Sequence, residues 1–375
     1  MRLLALLALA VVACGPEPVT PARPSPPLLA CAPVPAVSAA PAPAPAPAPV
    51  AAPAAPVDPA QKYADLGTCA LESGEKIEGC RIGYRTFGAL DATKSNVVLF
   101  PTWFSGTTKS LVDIVPDKLV DTERFHLVLV DAIGDGVSTS PSNSATQARL
   151  AFPRFGIRDM VESQRRMLTE ILGISHLRAV VGISMGGMQA IQWGVTHPEL
   201  VDRIVPIVGS PQLTSNDLLL WTAELNALES DVAYAKGSYQ GRPPMRAVQD
   251  LHALALTTPT YRATQTSRDA FPKLLASFEE DTSFDWNDWH RQLEAMIAHD
   301  VGKPYGGLEA AAKRVKAKAL FVLADQDHMV NPLPARAFAK QVSGAKVASL
   351  DGPCGHFAPN CEAKKLESLV IAFLR

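Results

Sequence analysis

A serine flanked by glycines, in the run Gly182-Ile183-Ser184-Met185-Gly186, has the surroundings of an activated nucleophile. Residues 178–181 before it are typical of a strand, and residues 188–195 after it are typical of a helix. Glycines allow a sharp strand-to-helix turn, and a helix N-terminus stabilises negative charge that develops there. We therefore predict that Ser184 is a catalytic nucleophile; the alternative is a glycine-rich turn with a capping serine.

Two later segments supply an acid and a base. The apolar run 320–324 leads into Asp325 and Asp327, and the run 347–350 leads to His356. We prefer Asp327 as the acid because a hydrophobic residue and a proline follow it, as they usually do after such acids; Asp325, capping the turn, is the alternative. The order Ser184, Asp327, His356 is the one expected when His356 takes the serine proton and Asp327 orients the imidazole. An acyl-serine intermediate would result.

Backbone N–H groups must stabilise the oxyanion of such a reaction. We expect one donor from Met185, directly after the nucleophile, and one from the loop 101–106, where we choose Phe104. Loss of one such donor typically costs roughly 3 to 4 kcal/mol in the barrier.

Surface or capping roles explain the other histidines. His328 adjoins the proposed acid, and a pocket role for it is the less favoured reading. The remaining ones stand near strand or helix ends, or in the segment that precedes the acid: His126, His176, His197, His252, His290 and His299.

Short β-branched runs alternate with amphipathic stretches along most of the chain. This order predicts parallel strands with covering helices, that is, an α/β, doubly wound, mostly parallel sheet whose ligands lie beyond the carboxyl ends of the strands. The predicted strands are 96–100, 126–131, 177–182, 203–208, 319–324 and 346–350, and residues 157–172 are predicted to be helical.

The alternation breaks between residues 208 and 319. Four runs there have helical spacing (218–228, 245–256, 269–278 and 286–297), and the polar stretch 257–268 separates two of them. We predict a helical cap inserted at about 211–306 that forms a pocket and excludes water. Six aromatic residues could form an apolar or aromatic acyl site, and plain core packing is the alternative: Trp103, Phe104, Trp221, Trp286, Trp289 and Phe357.

The first 62 residues differ from the rest. Residues 1–13 have a basic residue and an apolar run too short to span a bilayer, which predicts a signal peptide. The run before Cys14 resembles the lipobox of bacterial lipoproteins, so we expect a lipidated Cys14 and membrane anchoring; ordinary signal cleavage is the alternative. Residues 14–62 hold 16 of the 32 prolines. They predict a stiff linker rather than a proline-rich recognition motif, and the domain 63–375 would face the periplasm or the cell exterior.

Cysteine positions suit an oxidising compartment. Cys69 with Cys80, and Cys354 with Cys361, are candidate disulfides, although sequence does not fix connectivity.

No pair of cysteines or histidines has ligand spacing, so we expect no metal and no cofactor. The net charge is −2, without a basic stripe, which argues against nucleic acid as a partner.

Several segments resemble the homoserine O-acetyltransferase family of the α/β-hydrolase superfamily. They are 82–88 with 95–98, 136–141, 157–161, 182–189 and Trp193. The resemblance covers roughly residue 67 to the C-terminus. It implies the α/β-hydrolase fold, the triad at the positions given above and acyl transfer through serine. Members of the family are often dimers through the cap, whereas a tethered domain could equally act alone, so a homodimer stays open.

Two departures from the family favour hydrolysis. Phe357 stands where the acetyltransferases carry an aspartate for the substrate's amino group, and 101–104 replaces their histidine-containing oxyanion loop. Outside the cytoplasm, moreover, water is available whereas acetyl-CoA and homoserine are not expected. We therefore predict a serine-dependent hydrolase of small acyl esters. The alternatives are an O-acetyltransferase of the homoserine type and a non-catalytic binding lipoprotein.

Overall fold

A computed structural model describes residues 60–281 and 283–375 of the chain, and an eight-stranded sheet lies at its centre. The predicted signal peptide, Cys14 and the linker up to residue 59 lie outside the described residues. The folded domain starts slightly earlier than predicted, because its first strand begins at Lys62. In chain order the strands are β1 (Lys62–Asp65), β2 (Thr68–Ala70), β3 (Lys76–Glu78), β4 (Arg81–Phe87), β5 (Val97–Pro101), β6 (His126–Val130), β7 (Ala179–Ile183), β8 (Arg203–Ile207), β9 (Lys318–Ala324) and β10 (Lys346–Leu350).

The sheet has the order β1-β4-β6-β5-β7-β8-β9-β10, and β2 and β3 form a separate hairpin. From β6 to β10 every neighbouring pair is parallel, whereas β4 is antiparallel to both of its neighbours. The carboxyl ends of β5, β7, β9 and β10 therefore meet at one edge, where loops that are distant in sequence come together.

Alternating residues of β5 show how the sheet is buried on both faces. Val97 and Leu99 belong to the apolar core on one face, and Val98 and Phe100 belong to the core on the other. This burial explains the continuous apolar runs in the sequence, since strands covered on both sides need no polar face.

Helices cover both faces and form the cap. In chain order they are α1 (Thr108–Leu111), α2 (Ile157–Arg166), α3 (Met185–Thr196), α4 (Ser215–Ser230), α5 (Arg246–Leu256), α6 (Pro259–Gln265), α7 (Phe271–Glu279), α8 (Trp286–Ile297), α9 (Leu308–Ala312), α10 (Pro332–Gln341), α11 (Ala358–Cys361) and α12 (Ala363–Leu374). The helix predicted over 157–172 leaves α-geometry after Arg166 and continues as a π-helical turn, Met167–Ile171.

The cap consists of α4 to α8, between β8 and β9. Its two ends meet at a bridge between Gln212 and Asp300, where the Gln212 amide also donates to the Asp300 carboxylate at 2.7 Å. The polar stretch 257–268, predicted to be a separator, contains α6. Thr258 caps this helix by accepting from the N–H of Tyr261, and Pro259 occupies its first turn. These local capping interactions favour a helix despite the polar composition of the segment.

Within the described residues, no helix combines the length and the apolar character needed to cross a membrane.

Candidate active site

Ser184 lies on a strained turn between β7 and α3. Its backbone has φ 56° and ψ −121°, a region that a residue with a side chain rarely adopts. A side chain at position 182 would collide with the turn, because its Cβ would lie 2.2 Å from the carbonyl oxygen of Gly186. The Ser184 N–H donates to the carbonyl of Ile207 at 2.8 Å, which fixes the turn to β8. The turn thus holds the hydroxyl beyond the strand ends.

His356 connects Ser184 to Asp327. Its Nε2 lies 2.9 Å from Ser184 Oγ, and its Nδ1 lies 2.6 Å from Asp327 Oδ2. The Asp327 side chain is 1% exposed and that of His356 6% exposed. The other oxygen of Asp327 accepts the N–H groups of Met329 and Val330, each at 2.9 Å, so the carboxylate is held on both sides. The structure therefore brings the three predicted residues into one hydrogen-bonded chain.

Asp325, the alternative acid, lies elsewhere. Its carboxylate accepts from Arg336 at 2.6 Å and from the hydroxyl of Ser349 at 2.9 Å, and its side chain is half exposed. These contacts fix the surface between β9, β10 and α10 and do not involve His356.

The loop after β5 approaches the serine turn closely. A Cβ added to Gly186 would lie 2.6 Å from the carbonyl oxygen of Pro101, so only a glycine allows this approach. Met185 is the first residue of α3, whose first N–H groups have no partner within the helix. In the loop, the Ser105 N–H donates to Gln292 at 3.0 Å, whereas the Phe104 N–H has no acceptor among the described residues. Phe104 and Met185 thus remain the proposed oxyanion donors.

Gln189 and Trp193, which belong to the segments that carry the family resemblance, support this loop. The Gln189 amide donates to the carbonyl of Thr102 at 3.0 Å and accepts from Gln164 at 2.5 Å. The Trp193 indole donates to Gln164 at 2.9 Å. A buried amide chain from α2 through α3 therefore holds the loop in place.

The loop that carries His356 is fixed by a disulfide and by the cap. Cys354 and Cys361 are bonded on either side of it, and the Thr258 hydroxyl of the cap donates to the carbonyl of Pro353. The other candidate pair, Cys69 and Cys80, also forms a disulfide; it joins β2 to the residue before β4, in the N-terminal part of the domain.

A cavity of about 260 Å³ opens above Ser184 and His356. Four of the six aromatic residues singled out in the sequence line it: Trp103, Phe104, Trp221 and Phe357. Trp286 and Trp289 line a second cavity, of about 250 Å³, in the cap. The aromatic residues are therefore divided between two adjoining spaces.

His252 lines both cavities, although its sequence suggested only a surface or capping role. Its position depends on how α5 packs over the loop after β5, and no local pattern indicates that. His290 and His299 are buried rather than superficial. His328 is exposed and lines neither cavity. Among the described residues, no group of three or more His, Cys, Asp or Glu side chains is placed to hold a metal ion.

Comparisons with known proteins agree with this architecture. A family model described as alpha/beta hydrolase fold matches residues 96–359. Ethyl acetate hydrolase of Pseudomonas veronii is 30% identical over 317 residues, covering 80% of this chain and 90% of its own. A homoserine O-acetyltransferase of Leifsonia xyli is 30% identical over 314 residues, covering 72% and 77%.

Solved structures share the fold. The crystal structure of an acetylester hydrolase from Corynebacterium glutamicum superposes with a TM-score of 0.75 and 28% identity, over 82% of this chain and 96% of its own. With a family match that runs from just before β5 to just past His356, the chain belongs to the α/β-hydrolase fold family.

Proposed function

We propose that the protein is a carboxylic ester hydrolase that works through an acyl-serine intermediate. The observation that carries the proposal is the hydrogen-bonded chain Ser184–His356–Asp327 at the floor of a cavity. An intact chain of this kind also argues against a purely binding role, since binding needs no strained serine turn.

The geometry supports a two-step reaction. Ser184 Oγ attacks the acyl carbonyl while His356 Nε2 takes its proton, and the N–H groups of Met185 and Phe104 stabilise the oxyanion. The C–O bond to the alcohol then breaks, and His356 returns the proton to the leaving alcohol. In the second step His356 deprotonates a water molecule, which attacks the acyl-serine, and the carboxylic acid leaves as Ser184 regains its proton.

The lining of the cavities favours water over homoserine as the acyl acceptor. Homoserine carries a carboxylate, for which an arginine or lysine is the usual partner. None of the described residues that line the two cavities is arginine or lysine. Phe357, next to His356, presents an aromatic ring to the catalytic cavity and no acidic group for an ammonium.

A small acyl group fits the space and the relatives. The catalytic cavity of about 260 Å³ has apolar walls, formed by Ile114, Ile183 and Met329 together with the four aromatic residues named above. The names of two similar proteins, an ethyl acetate hydrolase and an acetylester hydrolase, point to acetate as the acyl part. We therefore propose short-chain esters as substrates.

Hydrolysis of a p-nitrophenyl ester series, acetate through octanoate, tests the proposal. The purified protein is compared with Ser184→Ala and with Ser368→Ala, a control on α12 whose hydroxyl bonds only the carbonyl of Lys364. We expect turnover to fall by at least about 10³-fold in Ser184→Ala alone, to decline from acetate to octanoate, and not to change when homoserine is added.

Two other outcomes would replace the proposal. Formation of an O-acyl homoserine from the ester or from acetyl-CoA, with little free acid, would establish the transferase. The similarity to the Leifsonia homoserine O-acetyltransferase is the reason to test for this product. No turnover and no labelling of Ser184 by a fluorophosphonate would establish a binding protein.

We also propose that the protein is a lipoprotein, exported and anchored through Cys14. Support comes from the signal-like residues 1–13, the lipobox-like run and the proline-rich linker. Expression in bacteria fed an alkyne fatty acid tests this: the wild type should carry the label, and Cys14→Ala should not. Equal labelling of the two would overturn it.

A further inference from the structure

The cap contains a second cavity that adjoins the catalytic one. The two spaces, of about 250 and 260 Å³, share the lining residues Ser105, His252 and Leu256. The cap cavity therefore lies directly beside the space in which an ester would bind at Ser184.

His252 lies where the two cavities adjoin, among aromatic rings. Its ring lies 4.9 Å from that of Trp289, edge to face, and 5.8 Å from that of Phe104. Its Nδ1 lies 3.4 Å from a carboxylate oxygen of Glu224, one helix away on α4. Aromatic rings on two sides and a carboxylate on the third leave Nε2 as the atom available to a ligand.

Glu224 is an unusual neighbour for an apolar cluster. Its side chain is 0% exposed, and neither carboxylate oxygen has a hydrogen-bond partner. The same holds for His252 Nδ1 and for the indole N–H groups of Trp221 and Trp289. Buried polar atoms without partners are costly, so the carboxylate of Glu224 and the imidazole of His252 stabilise each other by their proximity, and Glu224 positions the ring.

We propose that the cap cavity binds the alcohol part of the ester and selects a neutral, hydroxylated alcohol through His252. This inference rests on the proposed ester hydrolysis. The catalytic cavity, which contains Ser184, has mostly apolar walls that suit the acyl group, whereas Gln249, Ser277 and Ser283 give the cap cavity hydrogen-bonding groups. A hydroxyl group both donates and accepts, so it can pair with Nε2 in either tautomer of the ring.

Charge excludes an acidic alcohol part. Asp281 lines the cap cavity, Glu224 lies behind His252, and none of the described residues that line the cavity is arginine or lysine. The aromatic faces of Phe278, Phe284 and Trp286 complete the wall, as is common where a pocket holds a largely apolar ligand with a few polar groups.

Two matched acetate esters test the inference. Glycerol monoacetate and propyl acetate have the same acyl group and the same three-carbon alcohol skeleton, and they differ in two hydroxyl groups. The wild type should hydrolyse the glycerol ester with at least about tenfold higher kcat/KM. A ratio of one or below in the wild type overturns the inference whatever the variants do.

Variants then assign the selectivity. His252→Phe keeps the ring and loses its nitrogens, so the ratio should fall by about tenfold, mainly through KM. Glu224→Gln should lower it less, and the double variant no further than His252→Phe, because Glu224 acts by positioning the imidazole. The control is Leu254→Ala, an exposed residue of the same helix that lines neither cavity.

The test separates the two proposals. If neither acetate nor p-nitrophenyl acetate is hydrolysed, ester hydrolysis itself is wrong. If both acetates are hydrolysed and the ratio is the same in His252→Phe and in the wild type, ester hydrolysis stands and the role of His252 is wrong.

Discussion

The carboxylate of Asp217, in the first helix of the cap, accepts a hydrogen bond from the backbone N–H of Asn331 at 3.1 Å. Asn331 follows Asp327 by four residues, so this bond ties the cap to the loop that carries the acid. The other oxygen of Asp217 accepts the N–H of Thr214 at 2.8 Å, and burial raises the pKa of the carboxyl. Cap and active-site loop are thus joined through one buried side chain.

Asp217→Ala should loosen the acid loop. We expect unfolding free energy to fall by about 1 to 3 kcal/mol, because a buried acceptor of two N–H groups is lost, and kcat for p-nitrophenyl acetate to fall by about tenfold. Asp231→Ala is the control, because Asp231 caps a turn in the cap through the N–H of Ala233 and contacts no catalytic loop. If kcat is equal in the two variants, the hydrogen bond between Asp217 and Asn331 does not contribute to catalysis.

Asp327→Asn should remove most activity. The amide cannot stabilise a protonated His356, so kcat should fall by about 10³- to 10⁴-fold with little change in KM. Asp325→Asn alters only the surface contacts with Arg336 and Ser349 and should change kcat by less than about twofold. Steady-state kinetics of the two variants side by side decides the assignment; the reverse pattern would make Asp325 the acid.

The two disulfides should differ in what they support. Replacing either pair by serines should lower stability by about 2 to 3 kcal/mol. Only Cys354→Ser with Cys361→Ser should also lower kcat, by about tenfold, since that disulfide closes the loop around His356. Cys69→Ser with Cys80→Ser is the matched control. If kcat is unchanged when Cys354 and Cys361 are replaced, the cap alone holds the loop around His356.

His299 should make folding sensitive to acid. Burial lowers its pKa from 6.5 to about 4, while Nε2–H donates to the carbonyl of Ser210. Between these values the unfolded chain binds a proton that the folded chain does not, so stability falls as pH falls through this window, by up to about 3 kcal/mol.

Chemical denaturation at pH 7 and pH 4.5 checks this. The loss of unfolding free energy between the two pH values should be smaller by about 2 kcal/mol in His299→Gln than in the wild type. His328→Gln, at an exposed position, should behave like the wild type. If His299→Gln loses as much unfolding free energy as the wild type between pH 7 and pH 4.5, groups other than His299 cause the acid sensitivity.

Much of the fold follows from local pattern. The six predicted strands coincide with β5 to β10 within about two residues at each end, because parallel strands buried on both faces need continuous apolar runs. Helix α6 was missed because its polar sequence carries no apolar stripe, and it is defined by the cap residue Thr258 and by Pro259.

The sequence by itself identified Ser184 as the candidate nucleophile, since a glycine-flanked serine between a strand and a helix is typical of a sharp turn, and it identified His356 as the candidate base and Asp325 and Asp327 as candidate acids. Only the tertiary structure decided between Asp325 and Asp327, because both follow the same strand and only one carboxylate reaches the imidazole. It also brought His252 to Glu224. That pair depends on the packing of α5 against α4, and the local periodicity of a sequence does not indicate which helices pack together.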